Sequence, residues 1–187
     1  MLQTERLILR PWQPGDRQAL FDLCSDPKVM RYFPHPLSQR ESDELLQRLI
    51  SLIAKREGWG FWAAEAKHSG EVLGFIGLHE QDKHSGIPGS PFVEIGWRLK
   101  AHCWGQGLAM EGANANLDYA FEILQQPKVC AFTTVTNSPS RRVMEKIGMR
   151  NTQQDFDHPK LEVAHPLSRH CLYQITYDEW LTLRQGR

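Results

Sequence analysis

The stretch from Glu94 to Glu111 constrains this chain more than any other part of it. Glu94-Ile95-Gly96-Trp97-Arg98-Leu99 has strand patterning, Trp104-Gly105-Gln106-Gly107 is a glycine-rich turn, and Leu108-Ala109-Met110-Glu111 opens a helix. The first N–H groups of a helix lack intrahelical partners, and the helix dipole adds partial positive charge there. Glycines let the backbone approach an anion without interference from Cβ. Together these features describe a phosphate cradle. A plain strand–loop–helix turn has the same outline, so the glycines alone leave both readings open. Neither G-x-G-x-x-G nor G-x-x-x-x-G-K-[ST] occurs, which excludes the common dinucleotide and P-loop fingerprints.

The helix after the turn carries Ala109, Gly112, Ala113, Leu117, Ala120, Phe121 and Leu124 on its apolar face, small at the start and large toward Leu124. Its N-terminus can therefore lie close against a sheet. Upstream, Leu7–Arg10 reads as a short strand, Gly15-Asp16 opens a helix with Ala19, Leu20 and Leu23, and Asp26-Pro27 starts a helical turn. Ser38-Gln39-Arg40-Glu41 is a capping box before a long helix with Leu45, Leu49, Leu52 and Ile53. The period then changes. Strands are predicted at Phe61–Ala66, Val72–His79, Phe92–Leu99 and Val129–Val135, and again near Met149–Asp155 and His170–Tyr177. Ser138-Pro139 opens a short helix ending at Gly148. No repeat or linker interrupts the 187 residues, which predicts one α/β or α+β domain, its core about 4–180, with a mixed sheet.

A second motif, Asn137-Ser138-Pro139-Ser140-Arg141-Arg142-Val143-Met144-Glu145-Lys146-Ile147-Gly148-Met149, follows a strand. With the W-G-Q-G-L-A turn, the opening T-E-R-L-I-L-R-P and the strand E-I-G-W-R-L, it makes the chain resemble the GNAT superfamily of N-acetyltransferases, in particular its RimJ/RimL-type branch. The resemblance runs from about Thr4 to Trp180. Where the wider superfamily begins its phosphate loop with Gln or Arg, this chain has Trp104, as that branch commonly does.

The resemblance implies the GNAT fold, a mostly antiparallel, splayed sheet of about seven strands flanked by helices, and acetyl-coenzyme A as co-substrate. The pantetheine arm would lie between the Glu94–Leu99 and Val129–Val135 strands. Main-chain groups of Gly96, Trp97, Arg98 and Leu99 would bond it. The loop from Trp104 and Gly105, with the amides of Gln106, Gly107, Leu108 and Ala109, would carry the pyrophosphate. Asn137 would hold the pantetheine amide and Arg142 would reach the outer phosphate.

A thioester is already activated, so acyl transfer to an amine needs positioning, polarisation of the carbonyl by backbone N–H groups near Trp97–Leu99, and a base. Glu94 is the candidate base, alternating onto one face with Gly96 and Arg98, and a pairing with Arg98 is the competing reading. Many superfamily members put a Tyr seven residues after the motif Asn to protonate the thiolate. Here that position is Met144, which leaves Ser140 as the nearest hydroxyl, unless it only bonds local backbone. The missing Tyr also keeps open a non-catalytic acyl-coenzyme A sensor. Cys103 precedes the loop with no base beside it, which argues against a covalent intermediate.

The acceptor is predicted to be a primary amine, either a protein or peptide N-terminus or a small molecule. The His- and Pro-rich segment 155–170 is expected to form an ordered lid over it, and Tyr32-Phe33 with Trp59, Phe61 and Trp62 to supply candidate walls. His, Cys and carboxylate spacing there matches no usual ligand set, so no metal is expected. Lys and Arg total 22 against 22 Asp and Glu, which gives no support to binding of nucleic acid or an acidic membrane. Cys24, Cys103, Cys130 and Cys171 form no Cys-x-x-Cys, and Met1–Arg6 lacks a leader pattern. Both point to a reduced, cytoplasmic protein. A homodimer is left open.

Overall fold

The computed structural model describes residues 1–186. Contacts gather these into two compact units, one of Met1–Leu78 with Gly96–Asn116, the other of His79–Ile95 with Leu117 onward.

In the first unit, β1 (Leu2–Gln3) pairs antiparallel with β2 (Leu7–Arg10), whose Leu7 and Leu9 are fully buried. Helix α1 (Arg17–Ser25) buries Leu20, Leu23 and Cys24. Helix α2 (Gln39–Lys55) begins on the predicted capping box: the Glu41 N–H donates to Ser38 Oγ and the Ser38 N–H to Glu41 Oε2, at 3.3 and 2.8 Å. Its buried face is Ser42, Leu46, Leu49 and Ile53, so the expected Leu45 and Leu52 flank the stripe, half-buried. Strand β3 (Phe61–Ala66) lies antiparallel to β2 and to β4 (Val72–Gln81), giving the order β1-β2-β3-β4. The next neighbour is β5 (Phe92–Leu99), whose second half, Gly96–Leu99, belongs here.

Two glycines set the distances around that half-strand. Gly74 has φ +145°, and a Cβ there would lie 2.1 Å from the Arg98 carbonyl oxygen. Helix α3 (Leu108–Asp118) crosses β4 at Gly112, where a Cβ would meet Ile76 Cδ1 at 2.4 Å. The small-residue face predicted for this helix therefore does what its composition suggests: it lets the helix start lie hard against the sheet.

In the second unit, β6 (Lys128–Thr134) pairs in parallel with β5 at two positions, Val93 with Val129 and Glu94 with Cys130. Helix α4 (Ser138–Lys146) and the short strands β7 (Arg150–Asn151) and β8 (Phe156–Asp157) follow. Strand β9 (Arg169–Thr176) then pairs antiparallel with β6 from Thr176 opposite Lys128 to His170 opposite Thr134, giving the order β5-β6-β9-β7 with β8 also on β9. Helix α5 (Tyr177–Gln185) closes the chain, stacking Trp180 on Phe121 at 5.1 Å between ring centroids.

The architecture is the predicted mixed, mostly antiparallel sheet with flanking helices, but the described residues form nine strands, β1 and β8 being two-residue pieces too short to leave a period. Tyr177 does not end a strand. The Thr176 hydroxyl accepts from the Glu179 N–H at 3.3 Å, a second capping box that starts α5. The helix expected through Leu124 loosens after Asp118 into a π turn, Tyr119–Ile123.

Replacing Gly74 by Ala should cost about 2–4 kcal/mol of stability, since the backbone is in a glycine region and Cβ has no room. Urea unfolding measures it, and a loss below about 1 kcal/mol would contradict the close approach.

Candidate active site

The glycine-rich turn has the conformation an anion cradle requires. Gly105 and Gly107 sit at φ +75° and +79° on either side of Gln106, an alternation that turns successive N–H groups toward one concavity. Glu111 is the first residue of α3 to bond back, its N–H donating to the Gly107 carbonyl at 2.9 Å. The amides of Leu108 and Ala109 therefore have no carbonyl inside the helix. Among the described residues no backbone acceptor meets the amides of Gln106 or Gly107 either. A Cβ on Gly105 would meet nothing within 4 Å.

What fixes the turn is a carboxylate. Glu111 accepts from the Thr4 hydroxyl, from the Arg6 N–H at 2.8 Å and from Arg6 Nε at 2.7 Å. Burial alone would push this carboxyl up, but those bonds outweigh it and hold it below its usual range, so it stays ionised. Arg6 Nη1 in turn donates to the Gln106 carbonyl at 2.9 Å. In a planar trans peptide the N–H opposes the C=O, so tying that carbonyl to Arg6 aims the Gly107 N–H the other way. Trp104 closes the loop on itself, its indole N–H donating to the Leu99 carbonyl at 2.8 Å. That carbonyl, one of the expected pantetheine contacts, already has a partner.

Glu94 lies on β5 beside Gln81, whose side-chain amide donates to Glu94 Oε2 at 2.6 Å. Burial raises the carboxyl to about 7, with the Gln81 bond and the charge of Lys160 pulling the other way. Arg98, the competing partner in the sequence, turns its Nη1 to Cys24 Sγ at 3.2 Å. Gln81 was not anticipated because the strand was predicted to stop at His79. It runs two residues further, and that extension brings Gln81 alongside the carboxylate.

The segment 155–170 packs on its own unit through Phe156. Phe156 joins Ile87, Phe92, Cys130 and Leu172 in a buried cluster, with Phe132 against it. The His158 and His170 rings lie 4.8 Å apart and both face Phe132. Burial, reinforced by His170 and Lys160, lowers His158 to about 4, so it is neutral at physiological pH.

Asn137 caps α4, its Oδ1 accepting from the Ser140 N–H at 3.3 Å while its Nδ2 donates to Thr133 Oγ1 at 2.9 Å. One of its amide hydrogens and a carbonyl lone pair are left over. Ser140 Oγ makes no hydrogen bond among the described residues, and Arg142 is exposed. Met144, at the position where many superfamily members have Tyr, is buried at 2 % exposure. Tyr173 brings a hydroxyl to the same helix, but it bonds Glu145 and Arg141 at 3.0 and 3.2 Å. Of the aromatic walls, Trp62 is core, fully buried with its N–H on the Gly58 carbonyl. Phe33 stays at the surface. The four cysteines are free and buried. Among the described residues no group of three or more His, Cys, Asp or Glu could hold a metal, and no helix is long and apolar enough to cross a membrane.

Residues 6–150 match the profile of the acetyltransferase (GNAT) domain. The chain belongs to the GNAT acetyltransferases, a family that uses acetyl-coenzyme A. It is 37 % identical over 149 residues to YkkB of Bacillus subtilis, covering 79 % of this chain and 84 % of that one. It is 29 % identical over 191 residues to the FsC-acetyl coenzyme A-N(2)-transacetylase of Aspergillus fumigatus, covering 98 % and 79 %. A GNAT-family acetyltransferase from Bacillus anthracis superposes with a TM-score of 0.78 at 24 % identity, covering 95 % and 98 %. The spermidine N-acetyltransferase of Vibrio cholerae, solved with CoA and spermine, does so with 0.71 at 20 %, covering 94 % and 98 %.

Because folded Glu94 keeps its proton to about pH 7 and the unfolded residue loses it near 4.5, the folded chain binds more protons in that window. Stability should therefore fall as pH rises through it. Glu94→Gln removes this slope: urea unfolding should find it about 1–2 kcal/mol more stable than the parent at pH 8 and equal to it at pH 4.5. Parallel stability curves would contradict the assigned shift.

Proposed function

We propose that this chain is a cytoplasmic N-acetyltransferase of the RimJ/RimL type that moves the acetyl group of acetyl-coenzyme A to a primary amine by direct attack in a ternary complex. The observation that carries it is Glu94, a strand carboxylate raised to about 7 whose side-chain partner is a neutral amide rather than a cation. A base is most effective when its pKa lies near working pH, and an alkylammonium acceptor with a pKa of about 10 must lose a proton before it can attack.

The remaining roles are those that the resemblance implies. The amides of Gln106, Gly107, Leu108 and Ala109 would hold the pyrophosphate, with Trp104 and Gly105 shaping the turn. The Gly96–Leu99 edge of β5 and the free amide hydrogen of Asn137 would hold the pantetheine arm. Arg142, exposed on α4, would meet the outer phosphate. Ser140 Oγ, without a partner of its own, is the donor for the departing thiolate. Glu94 takes the ammonium proton, and backbone N–H groups near Trp97–Leu99 meet the negative charge that develops on the thioester carbonyl. The head of the loop at Trp104 and the Asn137 motif support the RimJ/RimL assignment. A peptide N-terminus and a small amine are both consistent with this chemistry.

Free-thiol release from acetyl-coenzyme A, measured against a panel of peptides, amino acids and polyamines, tests the reading. At least one amine should turn over, with kcat/KM rising about tenfold per pH unit up to about 7. Glu94→Gln should lose about 10²–10⁴-fold and the inflection with it. An unchanged inflection in Glu94→Gln would remove Glu94 as base, and coenzyme binding with no amine acetylated would overturn the activity.

A further inference from the structure

Arg98 is a cation for which the first unit provides no anion. Its Nε is buried and has no hydrogen-bond partner. Its Nη1 reaches only Cys24 Sγ, and burial raises that thiol, so the sulfur stays protonated and brings no charge. Among the described residues no carboxylate lies within salt-bridge distance of the guanidinium. Arg cannot escape burial by losing its proton at any working pH, so an isolated buried guanidinium needs compensation from outside its own side chain.

The surroundings define the shape of what is missing. The guanidinium carbon lies 3.9 Å from the centroid of the Phe33 ring and 5.1 Å from that of Phe75. Aromatic contacts of this kind partly offset burial of the charge without using its N–H groups. One Nη1 N–H is turned to Cys24, and on the other side Nε and Nη2 form the planar, two-pronged edge Arg presents to a carboxylate. Phe33, against the guanidinium, is 38 % exposed, whereas Phe75 is buried at 8 %.

We infer that the Nε–Nη2 edge of Arg98 is a receptor for a carboxylate of the acceptor, so that the amine this enzyme acetylates belongs to a carboxylate-bearing molecule rather than to a polyamine. This rests on the acetyltransferase reading above and narrows it. A planar carboxylate that approaches in the guanidinium plane can take both N–H groups, and a polycation would be repelled by the same charge. Arg98 here is a specificity residue: it holds the acceptor by its acid end and takes no part in proton transfer.

Two measurements test it. In the first, the Arg98 Nε–H resonance, assigned by its absence in Arg98→Lys, is followed while N-acetylglycine or N-acetylglycinamide is added to the full chain. A saturable shift with the acid and none with the amide is expected. Equal responses, or none to either, overturn the receptor. In the second, amino acids and their amides are compared as acceptors. The acid should exceed its amide in kcat/KM by about ten- to a hundredfold. Arg98→Met should close that gap and Arg98→Lys, which keeps the charge and loses the fork, should close it in part. An acid-to-amide ratio unchanged in Arg98→Met, or polyamines as the better acceptors, overturns the inference. A selective shift with no amine acetylated would instead leave the carboxylate site standing and remove the acetyltransferase reading.

Discussion

The ionised side chain of Glu111 organises the glycine-rich loop before α3. It sits in the first turn of α3, where the helix dipole favours a negative charge, and it takes hydrogen bonds from Thr4 and from both the backbone and side chain of Arg6. Arg6, held in this way, fixes the Gln106 carbonyl and with it the direction of the Gly107 amide. Without that clamp the glycines at 105 and 107 would leave the turn free to sample many orientations, because glycine restricts the backbone least. The loop is thus preorganised by charge where its sequence alone is permissive.

Much of this was legible in the sequence, for identifiable reasons. The capping box at Ser38, the alternation through Phe61–Leu99 and the small-to-large face of α3 are local patterns, and each produced the element predicted from it. The turn and the Asn137 motif resembled known proteins because backbone conformation at those points depends on few residues. What could not be read was which residues meet across long separations. Glu111 and Arg6 are 105 positions apart and nothing in either neighbourhood names the other. Gln81 was missed because a strand end is weakly encoded: two polar residues past His79 look like loop until a neighbouring strand pairs them. Thr176 was a different kind of miss, since Thr176-x-x-Glu179 is a capping box visible in the sequence, outweighed by the apolar run before it.

The two ionisable groups of chief interest on β5 owe their character to opposite omissions. Glu94 is given a neutral amide and not a cation, which leaves its pKa high enough to accept a proton near neutrality. Arg98 is given rings and a thiol and not a carboxylate, which leaves an edge of its guanidinium unfilled. In both cases a fold selected only for stability would favour the pairing that is absent, since an unpaired buried charge destabilises. Groups held in that state are the ones available for chemistry and recognition.

The most direct test of the account is calorimetric titration of coenzyme A and of pantetheine, which lacks the pyrophosphate, into the parent chain and into Glu111→Gln. If the clamped loop holds the pyrophosphate, the variant should bind coenzyme A about tenfold or more weakly, while its affinity for pantetheine stays the same. Equal losses for both ligands, or no loss for coenzyme A, would contradict it.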